Sequence, residues 1–162
     1  MTTAATPVRR SLDFRSFDEI LADVAHLRAV GFQRAGQWDL ATICNHLAKG
    51  MEVGLENKKV EVSFGLRLLA PLFGKMIFKG LLKTRKMPER IKAPGPFVPD
   101  EYCEMESSIA RLTQNCERAK VFEGPLSIHP IFRRITVEQW RQLMLIHCSH
   151  HLGFLVPNSH NA

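Results

Sequence analysis

Apolar residues along this chain recur at helical spacing in four stretches, and the polar residues beside them supply helix start and stop signals. Ser16 and Glu19 form an S-x-x-E capping box, after which Phe17, Ile20, Leu21, Val24 and Leu27 mark one face of a helix running to about Val30. His26 falls off that stripe and reads as a surface residue. A turn bracketed by Gly31 and Gly36 leads through Trp38-Asp39 into LATICNHLAKGMEVGL, a second helix to about Leu55 with Leu40, Ile43, Leu47, Gly50 and Gly54 on its stripe. Each glycine weakens a helix by about 1 kcal/mol relative to Ala, so their place on the stripe predicts a close neighbour. Asp100 is positioned to cap a third helix in which Tyr102, Met105, Ile109, Leu112, Cys116 and Ala119 form the seam of antiparallel packing. Thr136 and Gln139 form a T-x-x-Q capping box that opens the last helix, WRQLMLIHCSHHLGFL, which extends to about Leu155 before Pro157 and Asn158.

Between the second and third of these helices the pattern is different. Residues 64–82, FGLRLLAPLFGKMIFKGLL, are the most apolar run, but Arg67, Lys75 and Lys79 interrupt it, and Pro71 with three glycines breaks it up, which argues against a bilayer span. Two readings survive: an insertion folded over the helices or into a dimer contact, or an amphipathic segment with a basic face at a membrane surface. The first is favoured, because a stretch cut by Pro and Gly makes a poor continuous interfacial helix. Residues 84–99 hold four prolines and read as an extended connection. Strand-like alternation is confined to a short ambiguous piece around Val60 to Phe64. The expected fold is all-α: a single four-helix-bundle domain over residues 1–162, with a flexible lead-in at 1–13, a long crossover insertion at 60–99 and a polar tail at 156–162.

Composition narrows the class. With 162 residues, 45% hydrophobic and 23% charged, the chain has the makeup of an ordinary globular domain. The formal net charge of +6 would favour an acidic partner if gathered on one face. Lys75, Lys79, Lys83, Arg85, Lys86, Arg90 and Lys92 gather part of it, yet without the aromatic interleaving of single-strand binders or a DNA-reading motif, so nucleic acid is not an expected partner. Cys44, Cys103, Cys116 and Cys148 show no C-x-x-C pair and fall on expected helices. Free cysteines of this kind, and an opening without an apolar signal run, point to a reducing, cytoplasmic setting. Leu145 and Leu152 project off the main stripe of the last helix and predict a homodimer contact.

The chemistry lies in the histidines. At ~100° per residue, Trp140, Met144, His147, His151 and Phe154 fall on one stripe of the last helix, with His150 on its shoulder. Imidazoles four apart on one face can reach a single ion, whereas unpartnered in an apolar stripe they would be costly. The Glu that follows the first His in helical zinc proteases is absent here, so that chemistry is not implied. On the second helix His46 sits at the edge of the stripe. His129, beside Pro130 in the loop before the last helix, reads as structural, and Cys44 and Cys148 point away from the histidines.

Trp38, NHLA at Asn45 to Ala48, HP-x-F at His129 to Phe132, and T-x-x-Q-W leading into H-x-x-H-H-L at His147 to Leu152 together resemble the DinB/YfiT-like superfamily, in particular a subgroup ending in H-x-x-H-H-L. The resemblance implies a four-helix bundle holding a divalent metal, zinc or nickel, on His46, His147 and His151, with His150 a flanking residue that does not ligate. It implies an open coordination position and a small-molecule substrate, with a low-molecular-weight thiol as nucleophile. Leu152-Gly153-Phe154 departs from the superfamily's commoner polar-Gly-Gln ending after His-His. The leading expectation is a metal-dependent thiol S-transferase. The alternatives are a non-enzymatic ligand-binding or stress-response module and a peripheral membrane-associated protein.

Overall fold

The computed structural model describes residues 7–60, 64–88, 98–126, 128–129 and 131–158, with residues 64–72 described through their backbone alone. The elements are α1 (Phe17–Val30), β1 (Phe32–Arg34), α2 (Leu40–Leu55), α3 (Phe64–Thr84), α4 (Met105–Val121), α5 (Val137–Leu152) and β2 (Leu155–Pro157). Five helices and a small two-stranded sheet thus make up the described chain.

The helix starts follow from side chains that take the first free backbone N–H groups. Ser16 accepts from the N–H of Glu19, Asp39 from Thr42, and Thr136 and Gln139 close a reciprocal capping box on α5. The Glu19 carboxylate reaches past Ser16 to accept from the N–H of Arg15. The core forms where α2 packs along α4 and α5 while α1 packs against the same two helices. Ile20, Leu27, Leu40, Ile43, Leu47, Leu112, Ile146 and Leu152 are fully buried there. Gly50 and Gly54 have the close neighbours their position called for. A Cβ on Gly54 would overlap the Trp140 indole, and one on Gly50 would come within 3.3 Å of the His147 ring.

Several expectations are corrected. The third long helix of the bundle pattern is capped by Glu104, whose carboxylate accepts from the N–H groups of Glu106 and Ser107, because Asp100 is held elsewhere by Asn45 and Lys49. Tyr102 therefore lies outside the helix and is 84% exposed, and Cys103 also precedes it. The last helix stops at Leu152, and Leu155–Pro157 pairs antiparallel with Phe32–Arg34. Three-residue strands are too short to show the alternation that would reveal them. Gly31, at φ 75°, sets the turn that brings β1 to its partner.

Residues 7–13 are not a loose lead-in. The Arg10 guanidinium forks onto the Asp23 carboxylate and donates to the carbonyls of Leu152 and Leu155, while its N–H donates to the carbonyl of Gly153. Nor does Pro71 break the apolar run: α3 is continuous from Phe64 to Thr84. It is seated through Phe78, which stacks on Phe132, through Leu81, and through Gly74, which lies against the carbonyl of Ile131. Leu145 and Leu152 are buried within the chain, so the dimer contact expected of them has no surface to use. Residues 61–63 of the ambiguous piece and most of the proline-rich connection fall outside the described residues, while Phe64 opens α3. Among the described residues, no helix is long and apolar enough to cross a membrane.

Candidate metal centre

His46 comes from the middle of α2, and His147 and His151 from consecutive turns of α5. Facing one another across the α2–α5 contact, they bring one ring nitrogen each to a common point. The Nε2 of His46 lies 3.1 Å from the Nε2 of His147 and 3.1 Å from the Nε2 of His151. All three candidate ligand atoms fall within 4.8 Å of one another. His46 is 3% exposed, and its α5 partners are half-buried.

This arrangement fits a metal ion. A neutral imidazole carries one N–H and one lone pair, so His46 Nε2 cannot make good hydrogen bonds to two other Nε2 atoms at once. A cation bound at ~2.0 to 2.1 Å by tetrahedral nitrogens would set those nitrogens about 3.3 Å apart, close to the spacing seen. Burial, reinforced by the neighbouring imidazoles, holds His147 well below the usual histidine range, and the same causes act in the same direction on His151. Neutral rings keep their lone pairs available for a ligand bond. Among the described residues no fourth His, Cys, Asp or Glu joins the group, so three imidazoles could hold an ion with coordination left over.

The surroundings fix the rings. Trp38 stacks on His151 at 5.5 Å and 20° and lies tilted over His46 at 5.0 Å, covering the centre from the turn before α2. Gly50, one turn beyond His46, leaves room for the His147 ring. Beside His46, Asn45 donates to the carboxylate of Asp100, which also pairs with Lys49, so the chain entering α4 is pinned over α2. Hydrogen bonds from Lys49 and Asn45 hold the Asp100 carboxyl below its usual range.

Among the described residues, His150 and His129 are not part of this group. His150 is approached by the Arg9 guanidinium at Nδ1 and lines a cavity of about 510 Å³ together with Arg10, Arg85, Lys86 and Ser149. His129 spends Nδ1 on the N–H groups of Ile131 and Phe132, stacks on Phe132, and is pushed down to about 4 by burial. It is the structural loop residue its setting implied. Cys44, Cys116 and Cys148 are buried, and burial raises each thiol, the first two to about 12. None of the three is an activated nucleophile.

One family model matches residues 7–158, nearly the whole chain. The chain belongs to the family described as Protein of unknown function (DUF1569). No curated protein and no solved structure matches it. The DUF1569 match begins at the segment that carries Arg9 and Arg10 and ends just after β2, so it spans every element around the three histidines.

The role of Trp38 as a cover over the rings, and of Arg9 as the partner of His150, was not visible in periodicity, because both residues lie outside the helices they touch. The Gly50 and Gly54 positions were the one local sign that α5 comes close to α2.

Proposed function

We propose that this DUF1569 protein is a divalent-metal enzyme of the DinB/YfiT-like type, transferring a group to or from a low-molecular-weight thiol. In this reading α1, α2, α4 and α5 are the four helices of the bundle and α3 belongs to its crossover. The observation that carries it is the convergence of His46, His147 and His151 on one point, with His46 equidistant from the other two.

When bound, zinc or nickel would lower the pKa of a coordinated thiol or water and so supply a nucleophile at neutral pH. The chain's own residues do the rest. The three imidazoles bind through Nε2, and Trp38 keeps the His151 and His46 rings oriented and restricts water on its side. The buried thiols of Cys44, Cys116 and Cys148, raised by desolvation, stay protonated and do not compete, which supports a reacting sulfur from a small molecule.

The test is elemental analysis of the purified protein, followed by titration with zinc and with nickel. Stoichiometric metal is expected, reduced at least tenfold in affinity in His147→Ala and His46→Ala, since each removes a ligand. Protein that carries no metal and takes up neither ion would remove the basis of the proposal. If metal binds, thiol-dependent turnover that is unchanged in His147→Ala would leave a binding protein rather than an enzyme.

A further inference from the structure

We propose that α3 docks the protein on an anionic lipid surface through its outward face. The charge of the whole molecule is concentrated at this segment. Residues 64–88 contain six of the 22 Lys and Arg and none of the 16 Asp and Glu, so the remainder of the chain is balanced at 16 of each sign and the net +6 resides here.

The helix sorts these residues into three strips. At ~100° per residue, Gly74, Phe78 and Leu81 share the face that packs on the loop at residues 131–132. Lys75, Lys79 and Lys83, one turn apart and all exposed, line the next strip. Beyond them lie Phe73, Met76 and Ile77, which are 47%, 66% and 46% exposed. Three large apolar side chains are thus presented to solvent along one edge of a lysine ridge, on a helix whose opposite face is anchored. The loop under α3 adds Arg133 and Arg134, both exposed.

An apolar strip flanked by lysines on a continuous helix is complementary to a bilayer interface with negatively charged headgroups, because the apolar edge enters the headgroup boundary while the ammonium groups stay with the phosphates. An apolar protein partner would be served by the strip alone and gives the lysine ridge no role. Continuity is the decisive point: Pro71 would have made the segment a poor interfacial helix had it broken there, and it does not.

The experiment is co-sedimentation of the full chain with vesicles of phosphatidylcholine alone and of phosphatidylcholine with phosphatidylserine. Binding is expected only to the phosphatidylserine vesicles and is expected to fall as salt is raised. Lys75→Gln and Lys79→Gln should each weaken it about fivefold. Ile77→Asp should abolish it, with its unfolding midpoint checked to show that the fold is retained. Absence of binding to the phosphatidylserine vesicles, or binding indifferent to Ile77→Asp in a folded protein, would overturn the proposal. So would a dimer in solution that Ile77→Asp converts to monomer, since a second copy would then own the strip. Metal content does not enter this test, so its outcome is independent of the proposed enzyme chemistry.

Discussion

At Gly54 two opposing effects can be weighed against each other. Replacing a mid-helix glycine by alanine ordinarily stabilises by about 1 kcal/mol. Here the new methyl would overlap the Trp140 indole, which is 3% exposed and also packs against Phe122, so the ring cannot simply withdraw. Overpacking of this kind costs about 1 to 3 kcal/mol and outweighs the helix gain. Gly54→Ala is therefore expected to lower stability, by about 1 kcal/mol net, read from the urea midpoint; a more stable variant would show that α2 and α5 can move apart. The neighbouring Gly50 is a milder case, since its Cβ would press on only the edge of the His147 ring at 3.3 Å.

At the scale of elements, α2 and α4 are joined by a polar clamp inside their apolar contact. The Glu52 carboxylate accepts two hydrogen bonds of 2.6 Å from the Arg111 guanidinium and a third from the Asn115 amide, which also donates to the carbonyl of Ala48. Burial raises the cost of the charged carboxylate, but these bonds outweigh it and hold Glu52 below its ordinary 4.5. A depressed carboxylate contributes stability that is complete above the unfolded value and is lost as pH falls through the folded one. Arg111→Met is expected to cost about 2 kcal/mol at neutral pH, because it leaves the carboxylate without its main partner. The gap between wild type and variant should narrow below about pH 4.5, and a gap constant across that range would mean that the loss lies in packing rather than in the charge pair.

How far these elements could be read from sequence depended on whether their signals were local. The Thr136–Gln139 and Ser16 caps and the apolar stripes of α1, α2 and α5 are written within a few residues, and the structure follows them closely. The start of α4 was misplaced because Asp100 is of a type that commonly caps helices and Glu104 is not, while Asp100 is drawn off by Asn45 and Lys49, more than fifty residues away. The sheet was missed because each strand is three residues long and is defined only by its partner. For the three-histidine cluster, spacing singled out His147 and His151 and passed over His150, whereas His46 sat at a stripe edge that left its direction open. What settles His46 is the α2–α5 contact, a tertiary fact that only Gly50 and Gly54 foreshadowed.

At the scale of the whole molecule, Arg10 ties the segment before α1 to α1 itself, to the end of α5 and to β2. It grips Asp23 in α1 through both guanidinium nitrogens, at 2.7 and 2.9 Å, and reaches the carbonyls of Leu152 at the end of α5 and Leu155 in β2. The Arg10 and Asp23 side chains are 20% and 12% exposed, so breaking the pair strands a largely desolvated carboxylate. Arg10→Ala is expected to lower stability by about 3 kcal/mol, measured by thermal unfolding, and Arg10→Lys to restore only a small part, because an ammonium cannot serve a forked carboxylate and two carbonyls together. Full recovery by lysine would show that charge alone matters there.

The same segment has a practical consequence. Arg9 holds His150, whose ring stands 4.9 Å from that of His151, so the segment that carries Arg9 lies within a few side chains of the clustered imidazoles. A polyhistidine purification tag fused ahead of this segment would add competing imidazoles to any measurement of metal uptake by the three histidines. The proposed metal binding is thus to be measured on the cleaved protein, and a metal content that changes on cleavage would report the fusion rather than the fold.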